Sequence, residues 1–348
     1  MTHSTITTVG LDIAKNVIQV HAVDAKGTPI IRKSLKRHQV LPFFANLPPC
    51  LIGIEACGGA HDGARRLMAL GHTVKLMAPQ FVKPYVKANQ HDAADAEAIC
   101  EAVTRPTMRF VPVKTPEQQA LLALHRARQG FVTARTAQAN QIRGLLAEFG
   151  LVMPKGMAAL KQRLPDILED AENGLPDACR ELMQTLSAHL NELHRQVEAI
   201  TQRIAMAHQA NPLSRRLAQI PGIGPVIATA LLAAIGDIRE FASGRQLAAW
   251  LGLVPKQSST GGKTRLLGIS KRGDTYLRTR LIHGARSALS AAQRSKEPGA
   301  TWVTRLADRR HPNIAAVALA NKNARIACAL LAHDRDYQPG HSPVRATA

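Results

Sequence analysis

Short runs of apolar residues at alternating positions fill the first third of the chain, a pattern typical of β-strands. Three such runs come first, at 6–13, 17–23 and 28–35, and Asp-Ala-Lys-Gly between the second and third predicts a hairpin turn. Strand-like and helix-like runs then alternate, with helices near 39–46 and 62–70 and strands at 51–54 and 72–77. This order predicts a ribonuclease H-like α/β domain.

The middle of the chain has a helical period instead. A run over 117–149 is apolar on one side and basic on the other, and 177–208 repeats leucine, valine and isoleucine at spacings of three and four. This repeat continues for about four heptads, which predicts a coiled coil. The stretch 153–176 contains three prolines, so we expect a connector or the tip of a helical hairpin there.

Four acidic residues stand out against this pattern. Asp12 lies inside an apolar strand, where burying an unpaired charge costs on the order of several kcal/mol. Glu55 ends another strand, and Asp92 and Asp95 lie three apart at a predicted helix start. Four oxygen donors without His or Cys suit Mg²⁺ or Mn²⁺, which can assist phosphoryl transfer. Each residue also has a plain structural alternative, as a helix cap, a solvated charge or a strand end.

Charge indicates the partner. The chain carries 45 Lys and Arg against 25 Asp and Glu, a net charge of +20, and 19 of the basic but only 7 of the acidic residues lie in 221–348. A polyanion is the natural partner of such a surface, and nucleic acid is the leading interpretation. Aromatic residues make up only 3% of the chain, which favours phosphate contacts over base stacking. A merely basic protein is the alternative.

The cysteine content and the hydropathy argue against disulfide-rich, zinc-binding, secreted and membrane proteins. Five cysteines without a Cys-x-x-Cys pair indicate neither a disulfide framework nor a zinc knuckle, so we expect buried, reduced thiols. The sequence contains no run of about 18 uncharged apolar residues, and its first residues lack the order of a secretory signal. We therefore expect a cytoplasmic protein, associated with the nucleoid of a prokaryote, with no membrane partner.

A glycine motif opens the basic end. Pro221-Gly222-Ile223-Gly224 lies between two apolar runs and resembles the turn of helix-hairpin-helix modules. Backbone N–H groups at Gly222 and Gly224 can hold a DNA phosphate in such a turn. A tight turn between two core helices is the alternative interpretation.

A second motif follows within 251–286, where 257–263 is small, polar and rich in glycine. It predicts a flexible loop that holds phosphate, and a catalytic serine in it is the less favoured alternative. The basic residues expected to contact nucleic acid in this part of the chain are Lys256, Lys263, Arg265, Lys271 and Arg272. Lys83, Lys87 and Asn89 can also meet a phosphate or can be solvated loop residues.

Together these motifs resemble the DEDD-type insertion-sequence transposases. The resemblance rests on Gly-Leu-Asp-Ile-Ala-Lys around Asp12, Ile-Glu-Ala-Cys-Gly around Glu55 and Asp-Ala-Ala-Asp-Ala at 92–96. It continues through Pro-Gly-Ile-Gly, Trp-Leu-Gly-Leu-Val-Pro and Gly-Ile-Ser-Lys-Arg-Gly-Asp, covering about residues 5–330. The family pairs a RuvC-like domain with a C-terminal transposase domain, and its members are described as bridge-RNA-guided recombinases.

The resemblance implies four regions. They are a RuvC-like catalytic domain at 1–113, a helical or coiled-coil arm at 114–212, a mostly helical transposase domain with a helix-hairpin-helix and a serine loop at 213–333, and a disordered tail at 334–348. It also implies Mg²⁺ bound by the four acids, donor and target DNA, a guide RNA, and a homo-oligomer, a dimer or tetramer, formed through the arm.

A serine that attacks DNA and becomes covalently linked to it is implied as well. Counting back from Gly261 selects Ser259, with Ser258 second, because the loop reads Ser-Ser-Thr-Gly-Gly-Lys. Lys263 and Arg265 are expected to stabilise charge on the phosphate. The rival functions are a RuvC-like endonuclease that uses Mg²⁺ and water, and a non-enzymatic DNA-binding protein.

Overall fold

The computed structural model describes residues 5–86, 92–294 and 302–339. The chain divides into two compact units, Met1–Pro116 and Glu117–Ala348. Lys87 and Asn89, two of the predicted phosphate contacts, lie outside the described residues, whereas Lys83 is exposed in a short turn.

The first unit is built on a six-stranded sheet of order β3-β2-β1-β4-β5-β6. The strands are β1 Thr8–Ile13, β2 Val17–Val23, β3 Pro29–Lys36, β4 Leu51–Glu55, β5 Thr73–Met77 and β6 Phe110–Val111. The first three strands form the predicted antiparallel meander, and β4 and β5 continue the sheet in parallel with β1. This mixed sheet fits the predicted ribonuclease H-like fold. The two-residue β6 was too short to be predicted.

Helices cover both faces of this sheet. They are α1 Val40–Ala45, α2 Ala60–Ala69, α3 Pro79–Val82 and α4 Asp92–Val103. Apolar side chains of β1 and β4 join α1 and α2 in one core, while α3 and α4 form a second core with the end of β5. Alternate residues of a strand point to opposite faces. Val9 and Leu11 therefore face α2, and Gly10 and Asp12 face α4.

The second unit is mostly helical, as predicted. Its helices are α5 Pro116–Ala147, α6 Met157–Glu169, α7 Asp177–Ala210, α8 Pro212–Leu217, α9 Pro225–Ile235, α10 Gly244–Trp250, α11 Thr275–Arg294, α12 Trp302–Arg309 and α13 Pro312–His333. Its two strands, β7 Pro255–Thr260 and β8 Lys263–Ile269, form a separate hairpin.

The two long helices α5 and α7 run antiparallel against each other. Side-chain hydrogen bonds join Arg128 to Thr201, Arg135 to His194 and Gln138 to His189, so residue numbers fall on α7 as they rise on α5. The periodic apolar residues of α7 are buried: Met183, Leu190, Leu193, Val197, Ile200 and Ile204. This pairing lies within one chain. A coiled coil between chains stays a prediction.

The connector or hairpin tip predicted at 153–176 does join the antiparallel helices α5 and α7, but it also contains the 13-residue helix α6, which was not predicted. Pro165 lies inside this helix, and a proline at that position is a poor indicator of helix. Leu160 and Leu164 are nevertheless buried in one cluster with residues of α5 and α7. Tertiary packing of these leucines therefore outweighs the local cost of the proline.

The core of the second unit is formed by α9, α10, α11 and α13. Among the described helices, α13 has the length and hydropathy of a membrane span, although half of that window is buried inside the protein. Ala320, Ala324 and Ala327 are fully buried in the core cluster. Its apolar character is therefore that of a core helix.

The disordered tail predicted to begin at 334 was wrong for residues 334–337, which make defined contacts. Arg216 pairs with Asp334 and Asp336, and the backbone N–H of Tyr337 donates to Gln219 Oε1 at 3.0 Å. These contacts hold 334–337 against α8 and the residue Gln219 that follows it. Residues 340–348 lie outside the described residues.

The flexible loop predicted at 257–263 was also wrong, because these residues belong to the β7–β8 hairpin. Gly261 and Gly262 form its two-residue turn with φ angles of 55° and 78°. Two consecutive positive φ angles match the twist of flanking strands and favour glycine. The two glycines therefore act as a hairpin turn.

Candidate active site

Parallel pairing of β1 and β4 brings the first two acids to one edge of the sheet. Leu11 pairs with Ile54, and the next residue on each strand is Asp12 and Glu55. Because parallel strands in register end together, the two carboxylates lie side by side. The sequence prediction that the acids become neighbours if their strands pair is confirmed.

The other two acids reach this edge because α4 approaches the sheet closely. A Cβ atom on Gly10 would lie 2.0 Å from the carbonyl oxygen of Ala96 and 2.5 Å from the backbone nitrogen of Cys100, both on α4. Gly53, paired with Gly10 across the strands, would place a Cβ 2.8 Å from Val103. Because neither glycine has a side chain, α4 packs directly on the backbone of β1 and β4, and we call Gly10 and Gly53 the glycine seat of α4.

With α4 on this seat, three acids converge. One carboxylate oxygen from each of Asp12, Asp92 and Asp95 lies within 4.8 Å of the others. Asp92 is exposed at the start of α4, whereas Asp12 and Asp95 are half-buried. Glu55 lies outside this closest group, but its charge still interacts with Asp12 and Asp95.

Crowding of negative charge changes the acidity of the site. The pKa of Asp12 is raised, mainly by burial and then by the charges of Asp95 and Asp92. The pKa of Glu55 is raised by burial and by the charges of Asp12 and Asp95. Within the described residues, no Lys or Arg forms an ion pair with any of the four acids. Among the described residues, no ion pair therefore neutralises their charge.

This donor set fits a hard divalent cation. Carboxylate oxygens are the ligands that Mg²⁺ and Mn²⁺ prefer, and the three closest acids offer them from two different elements at a spacing that one ion can bridge. A bound cation would also remove the repulsion that raises the pKa of Asp12 and Glu55. Asp12, Asp92 and Asp95, with Glu55 beside them, are therefore the residues able to hold metal.

Two groups at the rim of the acids were not predicted from the sequence. The thiol of Cys57 donates to the carbonyl oxygen of Ile13 at 3.6 Å, and its pKa is raised by partial desolvation and by Asp12 and Glu55. Arg37 lies next to the glycine turn at 58–59 and donates to the carbonyl of Lys15 at 3.1 Å. No local sequence signal marks Cys57 or Arg37, and only the fold, which places both beside the acids, identifies them.

The expectation that all cysteines are buried was wrong. Cys50, Cys100 and Cys328 are buried, but Cys57 is exposed and Cys179 is half-buried. The described cysteines are free thiols, as expected.

Strand register decides what surrounds the two candidate serines. Ser258 pairs with Arg265 and Ser259 pairs with Thr264, while Thr260 pairs with Lys263. Cross-strand partners share a face of the hairpin and neighbouring residues do not. The cations Arg265 and Lys263 therefore share a face with Ser258.

Ser259 lies on the opposite face of the hairpin, where it accepts a hydrogen bond from Gln257 Nε2 at 2.8 Å. The idea that both cations assist Ser259 within the hairpin was therefore wrong, because strand alternation separates them from it. All residues of β7, and those of β8 up to Gly268, are exposed, so both serines are accessible.

The remaining predicted cations lie around the hairpin base and are exposed: Lys256, Lys271 and Arg272. The base is held by backbone hydrogen bonds from Ser270 to Val254 at 2.8 Å and from Lys271 to Gly252 at 3.2 Å. These backbone bonds tie down the base of a basic hairpin whose strands are exposed to solvent.

The two glycines of the predicted helix-hairpin-helix turn differ in environment. Gly222, with φ of 89°, packs on α11, where its added Cβ would lie 2.7 Å from the carbonyl oxygen of Gly284. Gly224 has open space around it and precedes α9. The turn is thus packed at Gly222 and open at Gly224, where a ligand has access to the start of α9.

Comparison with known families identifies the class of protein. The sequence model of the DEDD transposases of the IS110 type, described as "Transposase", matches residues 9–150. A second model, "Transposase IS116/IS110/IS902 family", matches residues 214–299. The acid cluster falls within the first match and the glycine turn and hairpin fall within the second.

Individual relatives agree. A "Probable family 20 transposase" of Pseudomonas aeruginosa is 51% identical over 333 residues, covering 95% of this chain and 98% of the relative. The transposases for insertion sequence elements IS1328 of Yersinia enterocolitica and IS1111A of Coxiella burnetii are 43% and 42% identical. These matches cover 92% and 95% of this chain and 96% and 91% of the relatives.

This chain therefore belongs to the IS116/IS110/IS902 family of insertion-sequence transposases. The predicted family is confirmed. Membership implies a DNA substrate with cleavage and strand transfer, and the DEDD match together with the acid cluster indicates use of a divalent metal.

Proposed function

We propose that this transposase cleaves and exchanges DNA strands by Mg²⁺- or Mn²⁺-dependent phosphoryl transfer through a covalent serine–DNA intermediate. The observation that carries the proposal is the convergence of Asp12, Asp92 and Asp95 to within 4.8 Å. Glu55 completes the set from the neighbouring strand. A divalent ion held there would neutralise charge on a scissile phosphate and lower the pKa of an attacking hydroxyl.

The protein supplies positioning and a nucleophile. The hydroxyl oxygen of the serine forms a new bond to phosphorus, and the bond from phosphorus to one deoxyribose oxygen breaks. The serine proton is transferred to a base or to water, and the departing deoxyribose oxygen takes up a proton from water to become a hydroxyl. The DNA hydroxyl that leaves can be replaced by the hydroxyl of another strand, which reverses the step and releases serine. Because each step exchanges one phosphate ester for another, strand exchange needs no external energy source.

Ser259 is the proposed nucleophile, and Ser258 is the second candidate. Both are exposed on β7. Ser259 is preferred for its position relative to Gly261, whereas the cations on the face of Ser258, which help a serine attack phosphate, are the argument for Ser258. Guidance by a structured RNA and assembly into a homo-oligomer, a dimer or tetramer through the helical arm, belong to the same proposal. The basic charge of +20 supports binding of more than one nucleic-acid strand.

The Pro221 to Gly224 turn is proposed as a phosphate contact of a helix-hairpin-helix type, with Gly224 as its accessible glycine. The exposed cations at the hairpin are proposed to contact nucleic acid with it: Lys256, Lys263, Arg265, Lys271 and Arg272. These contacts are sequence-independent, since they involve phosphate and not base edges.

Covalent trapping tests the mechanism. The protein is co-expressed with the non-coding DNA that flanks its gene, incubated with DNA carrying that flank and Mn²⁺, and analysed on denaturing gels. Protein-linked DNA is expected for the native chain, and mass spectrometry of the linked peptide identifies the serine. Ser259→Ala should abolish the link and Ser258→Ala should retain it; the reverse pattern assigns Ser258.

Rival functions give different patterns. A RuvC-like endonuclease that uses water would retain strand cleavage in both serine variants and lose it with Asp12→Asn. A non-enzymatic DNA-binding protein would bind DNA equally well with Asp12→Asn and would show no Mn²⁺-dependent cleavage. Either pattern would refute the serine mechanism.

A further inference from the structure

Three arginines of the second unit lie close together across two helices. Arg128 and Arg135 lie on α5, seven residues or about 10 Å apart along the helix. Arg280 of α11 donates to the side-chain oxygen of Gln129 on α5 and stacks over the ring of Tyr276 at 5.1 Å. The pKa of Arg128 is lowered by burial and then by the charges of Arg280 and Arg135. The three guanidinium groups therefore repel one another.

This arginine cluster (Arg128, Arg135, Arg280) has no carboxylate within ion-pair distance among the described residues. Arg128 Nε donates to Thr201 Oγ1 at 2.7 Å, and Arg135 Nη1 contacts His194 Nδ1 at 3.1 Å. The Nε atoms of Arg135 and Arg280 are buried without a described partner. These buried Nε atoms are out of reach of an external ligand, but all three side chains are half-buried and their remaining Nη groups have no described partner. These Nη groups are the donors left for an external acceptor.

Two described acidic residues near the cluster, Glu198 and Asp274, form no ion pair with its arginines. Glu198 pairs with His194 Nε2 at 2.9 Å, so this carboxylate is separated from Arg135 by the imidazole ring. Asp274 accepts from the backbone N–H of Leu277 at the start of α11. Neither carboxylate neutralises the three charges directly.

Structural arginines of the same unit look different. Arg278 is buried and donates to the carbonyl oxygens of Leu251 and Arg272 and to the hydroxyl of Thr275. Arg180 makes four hydrogen bonds to groups of its own neighbourhood. An arginine that serves the fold here uses its donors on backbone carbonyls, and the clustered arginines do not.

A buried histidine joins the helices beneath the cluster. His125 is buried and links α5 to α9 through Thr229 and to α11 through Tyr276, each at 3.0 Å. Because Thr229 donates to the carbonyl of Pro225, it accepts from His125 Nε2, and Nδ1 accepts from the Tyr276 hydroxyl. This bridge fixes the two helices that carry the arginines.

We infer that the arginine cluster binds phosphates of a nucleic-acid backbone that crosses α5 and α11. Guanidinium groups bind phosphate through paired hydrogen bonds, and a polyanion offers a series of them at once. A bound phosphate also removes the repulsion among the three cations, so binding and relief of strain coincide. This inference rests on the proposed function and deepens it, since it assigns a contact surface for DNA or guide RNA outside the acid cluster.

The test measures how binding depends on salt. Fluorescence anisotropy is recorded in EDTA with a labelled 20-nucleotide DNA strand, the RNA of the same sequence and the DNA duplex, so no cleavage occurs. Arg128→Gln/Arg280→Gln should reduce the slope of log affinity against log salt by about 1.4 to 1.8 for its cognate probe, since each lost phosphate contact contributes about 0.7 to 0.9. The probe most affected identifies the strand type.

Controls separate this role from a general loss of charge or of folding. Lys161→Gln/Arg163→Gln removes two exposed cations of α6 and should change the slope by less than half as much. Arg128→Lys/Arg280→Lys keeps the charge and should keep the slope. The ligand-free melting temperature of the glutamine variant should stay close to that of the native chain, because the repulsion removed offsets the lost contacts to Thr201, Gln129 and Tyr276.

An unchanged slope on all three probes, or the same change in the α6 control, overturns the inference. A lower ligand-free melting temperature with an unchanged slope assigns the cluster a structural role and also overturns it. Because the assay contains no metal and needs no serine, a failure of the proposed catalytic mechanism leaves this outcome readable.

Discussion

Replacing Gly10 by alanine tests how the acid cluster is assembled. Gly10 is not a ligand, and it lies two residues before Asp12 on the strand face that α4 covers. An added Cβ would lie 2.0 Å from the carbonyl oxygen of Ala96 and 2.5 Å from the nitrogen of Cys100. Both are backbone atoms of α4, which have no rotamer to change. The helix itself must move.

The size of the effect follows from these distances. Since real Cβ atoms essentially never approach closer than 3.0 Å, α4 has to move by about 1 Å to relieve the 2.0 Å contact. Overpacking of this kind costs about 1 to 3 kcal/mol in the free energy of unfolding. Asp92 and Asp95 move with α4, so the Kd for Mn²⁺ should rise about tenfold or more, as for losses of support around metal ligands.

The assay combines urea unfolding with Mn²⁺ titration followed by electron paramagnetic resonance. Gly63→Ala is the matched control, because Gly63 lies inside α2 of the same unit and its added Cβ would meet Ile13 at an ordinary 3.5 Å. Alanine there should stabilise the unit by about 0.5 to 1 kcal/mol through helix propensity. Its Mn²⁺ affinity should match that of the native chain.

A Gly10→Ala variant with native stability and native Mn²⁺ affinity would refute the reasoning. It would mean that α4 does not need the glycine seat to place its acids. A loss of stability with native Mn²⁺ affinity would also refute it, because the acids would then tolerate movement of their helix.

Three further predictions concern the second unit. The pKa of His125 is lowered to about 4, mainly by burial and then by the charges of Arg128 and Arg280. The contribution of neutral His125 to stability is therefore complete above pH 6.5 and is lost as pH falls toward 4. Between pH 7.5 and 4.5 the free energy of unfolding in urea should fall by about 2.5 kcal/mol more in the native chain than in His125→Gln. Gly284→Ala places a Cβ 1.9 Å from the carbonyl oxygen of Gly222 and should cost about 2 kcal/mol in urea unfolding, whereas Gly130→Ala, in open space on α5, should stabilise by about 0.5 to 1 kcal/mol. Arg278→Met removes the donor to the buried carbonyl oxygen of Leu251 and to the partly buried carbonyl oxygen of Arg272, and should lower the free energy of unfolding by about 2 kcal/mol. An unchanged thermal melt would contradict this.

The first unit shows what the sequence reveals well. An apolar strand interrupted by Asp12, and a helix start with two aspartates three apart, are local signals that place chemistry on known elements. Parallel pairing of β1 and β4 then follows from the order of strands and helices. What the sequence did not reveal is why α4 comes so close, because the role of Gly10 depends on its register with Gly53 and on atoms of a helix about 90 residues away.

The hairpin shows the opposite case. Strand β7 is polar after its proline, and the two leucines of β8, Leu266 and Leu267, are adjacent and exposed, so no hydrophobic alternation marks the strands. Only Gly261-Gly262 indicates a turn, and the same dipeptide is equally typical of a flexible loop. Without the pairing, sequence spacing placed Lys263 and Arg265 beside Ser259, whereas the strand register places them beside Ser258.

In the helical unit, prediction from sequence failed at a helix that contains a proline and at contacts between residues far apart in the chain. Pro165 concealed α6, since proline inside a helix is costly and usually argues against one. The arginine cluster and the His125 bridge join residues about 100 to 150 positions apart, and no local pattern predicts such contacts. Tertiary structure alone brings these polar groups together.

Metal binding by the acids tests the central claim most directly. Mn²⁺ titration of the native chain should reveal a bound ion and raise the melting temperature, since a ligand at 100 times its Kd stabilises by about 2.7 kcal/mol. Asp12→Asn should lose the bound ion and melt at a higher temperature than the native chain without metal, because its charge is no longer crowded by Asp92 and Asp95. Asp62→Asn, which removes an exposed carboxylate of α2, is the control and should bind Mn²⁺ as the native chain does. If Asp12→Asn also binds Mn²⁺ with native affinity, as this control does, the account is contradicted.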